Sequence, residues 1–239
     1  MLKIRNLSVT YPDSTVAVDR FDLTIHRGKR VALIGANGAG KTSLLLALVG
    51  ILPSTGAITV DGITLTKQTV SKIRTKIGVV FQNPDDQLIF PTIYDDIAFG
   101  PRNLGLDEET VHQRVEEQLD LLHIRHLEKR TALKLSGGEK RLAALATVLA
   151  MNPSMLVLDE PTAFLDPKAR RNLIHILKSL PHTMLIATHD LLFAAEVCPR
   201  SVLIRKGSLF ADGASEYLLY DKQKMDEGGV EAIGVKEDI

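Results

Sequence analysis

Residues 35–42 read GANGAGKT, directly after the apolar run VALI (31–34) and at the start of KTSLLLALVGIL. The pattern is a glycine, four residues, then Gly-Lys-Thr, set between a strand and a helix. Its chemistry is phosphate binding by backbone. Gly35, Gly38 and Gly40, with Ala36, Asn37 and Ala39 between them, let consecutive N–H groups turn inward around phosphate oxygens. The helix that starts near Lys41 adds the positive end of its dipole. The Lys41 ammonium is placed for the β and γ phosphates, and Thr42, followed by Ser43, offers a hydroxyl to Mg²⁺. A dinucleotide fingerprint does not fit. It needs G-x-G-x-x-G, and the glycines here run G-x-x-G-x-G.

Other stretches supply the rest of a phosphoryl-transfer site. SMLVLDEP (154–161) is an apolar run ending in two carboxylates. A buried strand there delivers Asp159 and Glu160 to its C-terminal edge, Asp159 for Mg²⁺ and Glu160 as general base for an attacking water. His189, in ATHD, ends another apolar strand one crossover later and can reach a γ-phosphate or that water. Gln82 ends IGVVF, where an uncharged amide can sense both Mg²⁺ and water. In LSGGEKR (135–141), Ser136, Gly137 and Gly138 open a helix and make a second anion site. The γ-phosphate already has its cradle, so this second site serves a nucleotide bound to another copy. That implies a head-to-tail dimer with ATP between its faces.

Around these residues the sequence predicts an α/β chain. KIRNLSVTY, FDLTI and VALIG read as strands, and the helix after the glycine loop is expected to stop at Pro53. AITVDG, ITLTK and IGVVFQ continue the strands. DEETVHQRVEEQLDLLHI (107–124) is an amphipathic helix with Asp107 as N-cap, and 137–151 is a second. SMLVLDEP and TMLIATHD bracket a helix over about 167–180, a βαβ signature. SVLIRKG and SLFADG close the strands. The expected organisation is a core over 1–83 and 153–221, a mostly helical insertion over 84–152, and a polar tail, 222–239, of poor order.

Composition bounds the reading. The 239 residues carry 29 Lys and Arg against 29 Asp and Glu, and a zero net charge argues against a nucleic-acid-seeking surface. Arg125, Lys129, Arg130 and Lys134 read as a solvated face. Cys198 is the single cysteine, so no intrachain disulfide forms. His123 and His126 lack a neighbouring cysteine or carboxylate pair and read as surface residues rather than metal ligands. The N-terminus has no apolar signal core, and LLLALVGIL (44–52) and LAALATVLAM (142–151) fall short of the roughly 20 residues that cross a bilayer. If the chain works at a membrane, other subunits must span it.

With these motifs in order, nearly the whole chain resembles the nucleotide-binding subunit of an ATP-binding cassette (ABC) transporter. GANGAGKT matches Walker A, Gln82 the Q-loop, LSGGE the signature, MLVLDE Walker B, TAFLD with Asp166 the D-loop, and His189 the switch histidine. The resemblance implies a P-loop NTPase fold: a mixed sheet with flanking helices, an N-terminal antiparallel β subdomain and a helical insertion. It implies ATP and Mg²⁺, with Thr42, Gln82 and Asp159 at the metal, Glu160, His189 and Gln82 in catalysis, Tyr11 stacked on adenine, and Ser136 and Gly138 on the partner's nucleotide. Two positions depart from the pattern: Glu139 is often Gln, and Phe164 is often smaller.

FQNPDDQLIFPTIYDDIAFGPRNLGL (81–106) resembles the energy-coupling-factor importers, in particular their cobalt and nickel ATP-binding subunits. This implies a peripheral protein on the cytoplasmic membrane face, with a membrane-spanning coupling subunit and a substrate-binding membrane subunit as partners. Asp85, Asp86, Asp95 and Asp96 are expected to meet basic residues of the coupling subunit, with Phe90, Pro91 and Ile93 as apolar anchors. Vitamin-type relatives often extend further at the C-terminus, which tilts the reading toward a metal ion and a homodimer rather than two different cassettes. A vitamin importer is the alternative. A soluble ATP-driven clamp on ribosomes or DNA is less favoured, because that class usually carries two cassettes or a long coiled coil in one chain. A small-molecule kinase leaves LSGGE without a task.

Overall fold

The computed structural model describes residues 1–234. In chain order the strands are β1 (Leu2–Thr10), β2 (Val16–Ile25), β3 (Arg30–Ile34), β4 (Thr55–Val60), β5 (Ile63–Thr64), β6 (Ile77–Val80), β7 (Met155–Asp159), β8 (Thr183–Ala187), β9 (Arg200–Arg205) and β10 (Ser208–Ala214). The helices are α1 (Lys41–Leu48), α2 (Val70–Arg74), α3 (Ile93–Asn103), α4 (Glu108–Leu121), α5 (Gly137–Leu149), α6 (Pro167–Ser179), α7 (Leu191–Val197), α8 (Ser215–Leu218) and α9 (Lys222–Glu227). They form two compact units, Met1–Arg74 with Pro181 onward, and Thr75–Leu180.

In the first unit β1 alternates buried and exposed residues, and Leu2, Ile4, Leu7 and Val9 form its inner row. It lies antiparallel between β2 and β4, and β5 extends the sheet beyond β4. This is the expected N-terminal antiparallel sheet, although ITLTK contributes only the two residues of β5. The other layer of the unit has β3 between parallel β8 and β9, with β10 antiparallel to β9. After Arg30, strand β3 reads VALI because both of its faces are covered, and those four side chains are buried.

Helix α1 ends before Pro53. Gly50 takes φ 65°, its N–H donates to the Ala47 carbonyl, and the Ile51 N–H donates to the Leu46 carbonyl. That pair of bonds is a Schellman motif, so a left-handed glycine stops the helix and the proline lies beyond it. The segment expected to be a disordered tail also departs from its reading over 222–234. It forms α9, capped by Asp221, and buries Met225 completely. The Val230 N–H then bonds the Met225 carbonyl, and the Ile233 N–H bonds the Leu219 carbonyl. Scattered apolar residues anchor a polar stretch whose average composition hides them. Residues 235–239 of that expectation lie outside the described residues.

In the second unit β6 and β7 run parallel, and α3, α4 and α5 make the helical part. Asp107 caps α4 by accepting from the Thr110 N–H, as its position before the amphipathic run predicts. His123 follows α4 at φ 57° and His126 sits in a short 3₁₀ turn, so the two do not share a helix face. Among the described residues no cluster of His, Cys, Asp or Glu could hold a metal ion. Arg125 is tied to Asp120 at 2.7 Å and to Glu116, which removes it from any cationic patch. No helix among the described residues is long and apolar enough to cross a membrane.

Candidate nucleotide site and its relatives

Parallel register places the candidate residues. In the first unit Leu33 of β3 pairs with Ala187 of β8. Gly35 and His189 each lie two residues further on, so the glycine loop and the histidine leave the same strand edge side by side. In the second unit Val80 of β6 pairs with Leu158 of β7. Two residues further on stand Gln82 and Glu160, with Asp159 between the pairing and Glu160. C-terminal ends of parallel strands are where α/β sheets hold ligands.

The glycine loop is built as a backbone cradle. Gly38 and Gly40 have φ of 76° and 103°, in the region that L side chains avoid. A Cβ on Gly40 would lie 2.1 Å from the Ala17 carbonyl oxygen, and one on Gly35 would lie 2.5 Å from that of Ile204. Ala36 and Asn37 are exposed, while Ala39 is buried and its carbonyl accepts from the Gly207 N–H. Gly40 is the N-cap of α1, so the helix's first N–H groups face the loop. Lys41 is buried, and its Nζ donates to the carbonyls of Gly35 at 2.8 Å and Ala36 at 3.3 Å. Thr42 is exposed. The Ser43 hydroxyl is 2.9 Å from the phenol oxygen of Tyr11, which ties the candidate adenine platform to the same helix. His189 is exposed, and its neighbour Asp190 caps α7 by accepting from the Phe193 N–H.

The carboxylates on β7 are shielded. Asp159 and Glu160 are 5% and 6% exposed. Glu160 sits at φ 44°, a conformation costly for a non-glycine residue and typical of functional turns. The Thr42 hydroxyl and the Asp159 carboxylate are hard oxygen donors, the type Mg²⁺ takes. Within the first unit, the glycine cradle with the Thr42 hydroxyl has the donor chemistry that suits a magnesium nucleotide.

The signature segment is a complete capping box. The Ser136 hydroxyl accepts from the Glu139 N–H and donates to the Glu139 carboxylate, which also accepts from the Ser136 N–H at 2.8 Å. That N–H, and next the hydroxyl, hold the Glu139 carboxyl below its ordinary pKa. A Cβ on Gly138 would lie 2.8 Å from the Ala169 side chain, so glycine is what lets α5 approach α6. Asp166 caps α6, accepting from the N–H groups of Lys168 and Ala169.

The sequence reading missed Arg141. It is 2% exposed, and its guanidinium donates to the Phe81 and Gln82 carbonyls, each at 2.7 Å. Burial pushes its pKa down to about 10, against the opposing pull of the Asp159 charge. Gln87 adds a second tie, donating to the Ala144 carbonyl and the Thr147 hydroxyl. The start of α5 therefore grips the loop that carries Gln82. The available signal was spacing: Arg141 shares a helix face with the buried Ala144, Leu145 and Val148.

The segment after Gln82 corrects part of the docking expectation. Asp96 is buried and accepts from the Ile89 and Phe90 N–H groups, and Ile93 is fully buried. Burial raises the pKa of Asp96 despite those bonds. Asp85 pairs with Lys140 at 2.6 Å. The apolar face turned outward is instead Ile89, 70% exposed, with the exposed Phe99 ring tilted against Phe90 at 4.8 Å between ring centroids. The Asp96 carboxylate thus ties down the backbone of Ile89 and Phe90 instead of standing free for a partner.

Comparison with known proteins identifies the family. The ABC transporter family model matches residues 18–163. The energy-coupling factor transporter ATP-binding protein EcfA of Methanothermobacter thermautotrophicus is 44% identical over 229 residues, spanning 93% of this chain and 74% of that protein. The structure of cbiO1 from Clostridium perfringens, described as part of the ABC transporter complex cbiONQ, superposes with a TM-score of 0.84 and 34% identity, covering 95% of this chain and 93% of that one. The ATP-binding cassette MJ0796, a dimer bound to ADP and Pi in a post-hydrolysis state, matches with a TM-score of 0.80 and 26% identity over 90% of this chain and 99% of its own. The chain thus belongs to the ABC transporter family, as an ATPase of the energy-coupling-factor type.

Proposed function

We propose that this chain is the motor of an importer for cobalt or nickel ions, working as a homodimer on the cytoplasmic face of the membrane. The observation that carries this reading is the outward apolar face of Ile89 and Phe99, with half-buried Phe90 against Phe99, on the same segment that begins at Gln82. A residue suited to sensing the nucleotide is thereby continuous with a surface suited to membrane-subunit helices. The likeness to cbiO1 favours a metal ion over a vitamin as the cargo.

In this reading ATP lies in the cradle of residues 35–43, with Tyr11 against the adenine. Lys41 neutralises charge on the β and γ phosphates. Thr42, Asp159 and Gln82 would hold Mg²⁺, which supplies charge neutralisation on the phosphate oxygens when bound. Glu160 accepts a proton from the attacking water, and His189 orients that water against the γ-phosphate. Ser136 and Gly138 of a second copy close the site by offering a hydroxyl and helix N–H groups. Two copies then sandwich two ATP molecules, and hydrolysis reopens them.

Cells lacking this chain are expected to lose uptake of radiolabelled cobalt or nickel, with vitamin uptake unchanged. Loss of vitamin uptake instead would replace the proposed cargo. Replacing Ser136 with Arg tests the shared site. The side chain is exposed in the single chain, so ATP affinity of the monomer is expected to hold within about twofold, while ATPase activity falls at least about a hundredfold, the scale of a lost transition-state donor. Equal loss of binding and turnover in a nucleotide titration would put Ser136 beside its own chain's ATP.

A further inference from the structure

Asp96, in the first turn of α3, is 4% exposed. Its Oδ1 accepts from the N–H groups of Ile89 at 2.8 Å and Phe90 at 3.0 Å. Its Oδ2 is buried and has no hydrogen-bond partner among the described residues. A carboxylate taken out of water with one oxygen unused is costly. An apolar side chain would fill the space without that cost, but two loop N–H groups would lose their acceptor. The carboxylate instead gives both a charge-assisted bond, at the positive end of a helix. It thereby joins the two parts of the outward apolar face. Ile89 and Phe90 stand on the loop, and Phe99 stands on α3 against Phe90.

The same helical turn is tied on its other side. The first N–H groups of a helix have no acceptor within that helix. In α3 the Ile93 N–H donates to the Arg130 carbonyl at 3.0 Å, and the Tyr94 N–H donates to the Glu128 carbonyl at 2.9 Å. Thr92 caps the turn by accepting from the Asp95 N–H. Ser136 follows Arg130 by six residues, and the stretch between them is pinned by buried Ala132 and Leu135. A continuous physical path therefore runs from Ile89 and Phe90, through Asp96 and the start of α3, to the short segment that ends at the signature serine.

We infer that the first turn of α3 is the joint that couples the outward apolar face to Ser136, with Asp96 as its positioning residue; this rests on the reading that a membrane subunit docks on that face. With the carboxylate in place, loop and helix shift as one body, and the carbonyls of Glu128 and Arg130 move with them. Without it, Ile89 and Phe90 yield alone and a partner's push is spent in the loop. Coupling of this kind is reciprocal, so a nucleotide held at Ser136 also bears on the docking face.

Asp96→Ala removes the acceptor, whereas Asp96→Asn keeps an oxygen for both N–H groups and loses only the charge. In the purified full chain, amide hydrogen exchange at Ile89, Phe90, Ile93 and Tyr94 is expected to quicken at least about tenfold in Asp96→Ala and to stay near native in Asp96→Asn. ATPase activity of the purified chain, measured below the melting transition of each variant, is expected to stay within about twofold of native. In cells carrying equal amounts of each variant, uptake is followed with the labelled cargo that cells lacking the chain fail to take up. It is expected to fall at least about tenfold for Asp96→Ala, within the usual range of a coupling free energy, and to recover to at least about half of native for Asp96→Asn. Native uptake by Asp96→Ala overturns the inference. So does a loss that Asp96→Asn fails to restore, an equal loss of purified ATPase activity, or quickened exchange confined to Ile89 and Phe90. Ile89→Asp combined with Phe99→Asp tests the docking reading separately: native uptake by that double variant overturns the reading, and the joint with it.

Discussion

Glu160→Gln is expected to bind ATP with near-native affinity, to hydrolyse it about a hundred- to ten-thousand-fold more slowly, and to accumulate as a dimer. The size of the rate loss is that of a positioned general base. Geometry supports assigning the base to this carboxyl. Glu160 is 6% exposed, held at φ 44° at the end of β7, in register with Gln82 at the end of β6. An amide has nearly the shape of the carboxyl, so the turn keeps its form while the proton acceptor is lost. Removing a negative charge near the triphosphate also lowers repulsion, which favours the closed, ATP-loaded pair. Phosphate release under single-turnover conditions gives the first quantity, and light scattering on the eluting protein gives the second. A variant that keeps more than about a tenth of native turnover would move the base to another group.

Arg141→Ala is expected to be the most destabilising single change outside the apolar core. Its guanidinium is 2% exposed and satisfies two carbonyls of the loop that carries Gln82. Truncation leaves both half-buried carbonyls without that donor and opens a cavity. Each unsatisfied group costs about 1–3 kcal/mol, so a loss of about 3–5 kcal/mol is expected. For a chain of this size that corresponds to about 6–20 °C in Tm. Arg141→Lys is expected to fall between the two, since a single ammonium replaces a planar fork with difficulty. ATPase activity at a temperature where the variant remains folded should fall further than nucleotide affinity, because the lost bonds position the Gln82 loop and leave the glycine cradle alone. Calorimetry with a nucleotide titration separates the two. A variant that melts as the native chain does would mean the carbonyls find other donors.

The parts of the site that were legible in the sequence are those in which local chemistry dictates residue type. A backbone cradle demands Gly38 and Gly40, and their positive φ values show why. Ser136, Asp107 and Asp166 cap the helices that follow them, because a side-chain oxygen two or three residues before a free N–H is a purely local device. What the sequence hid depends on distant partners. Arg141 looks like a surface residue of an amphipathic helix until the carbonyls of Phe81 and Gln82, 60 residues away, are placed over it. Asp96 reads as one more acid in a docking loop, yet its acceptors are needed by the N–H groups of Ile89 and Phe90. Pro53 is the conspicuous breaker after α1, but Gly50 reaches the left-handed region first and ends the helix there. In the C-terminal segment a single methionine, Met225, outweighs a polar average because it finds a fully buried place.

Lys41 rests its ammonium on the carbonyl oxygens of Gly35 and Ala36. The buried ammonium is thereby held by carbonyl dipoles of the loop it serves. The turn that shapes the cradle thus also fixes where its positive charge stands, so a change of backbone in this loop would move the charge and the cradle together.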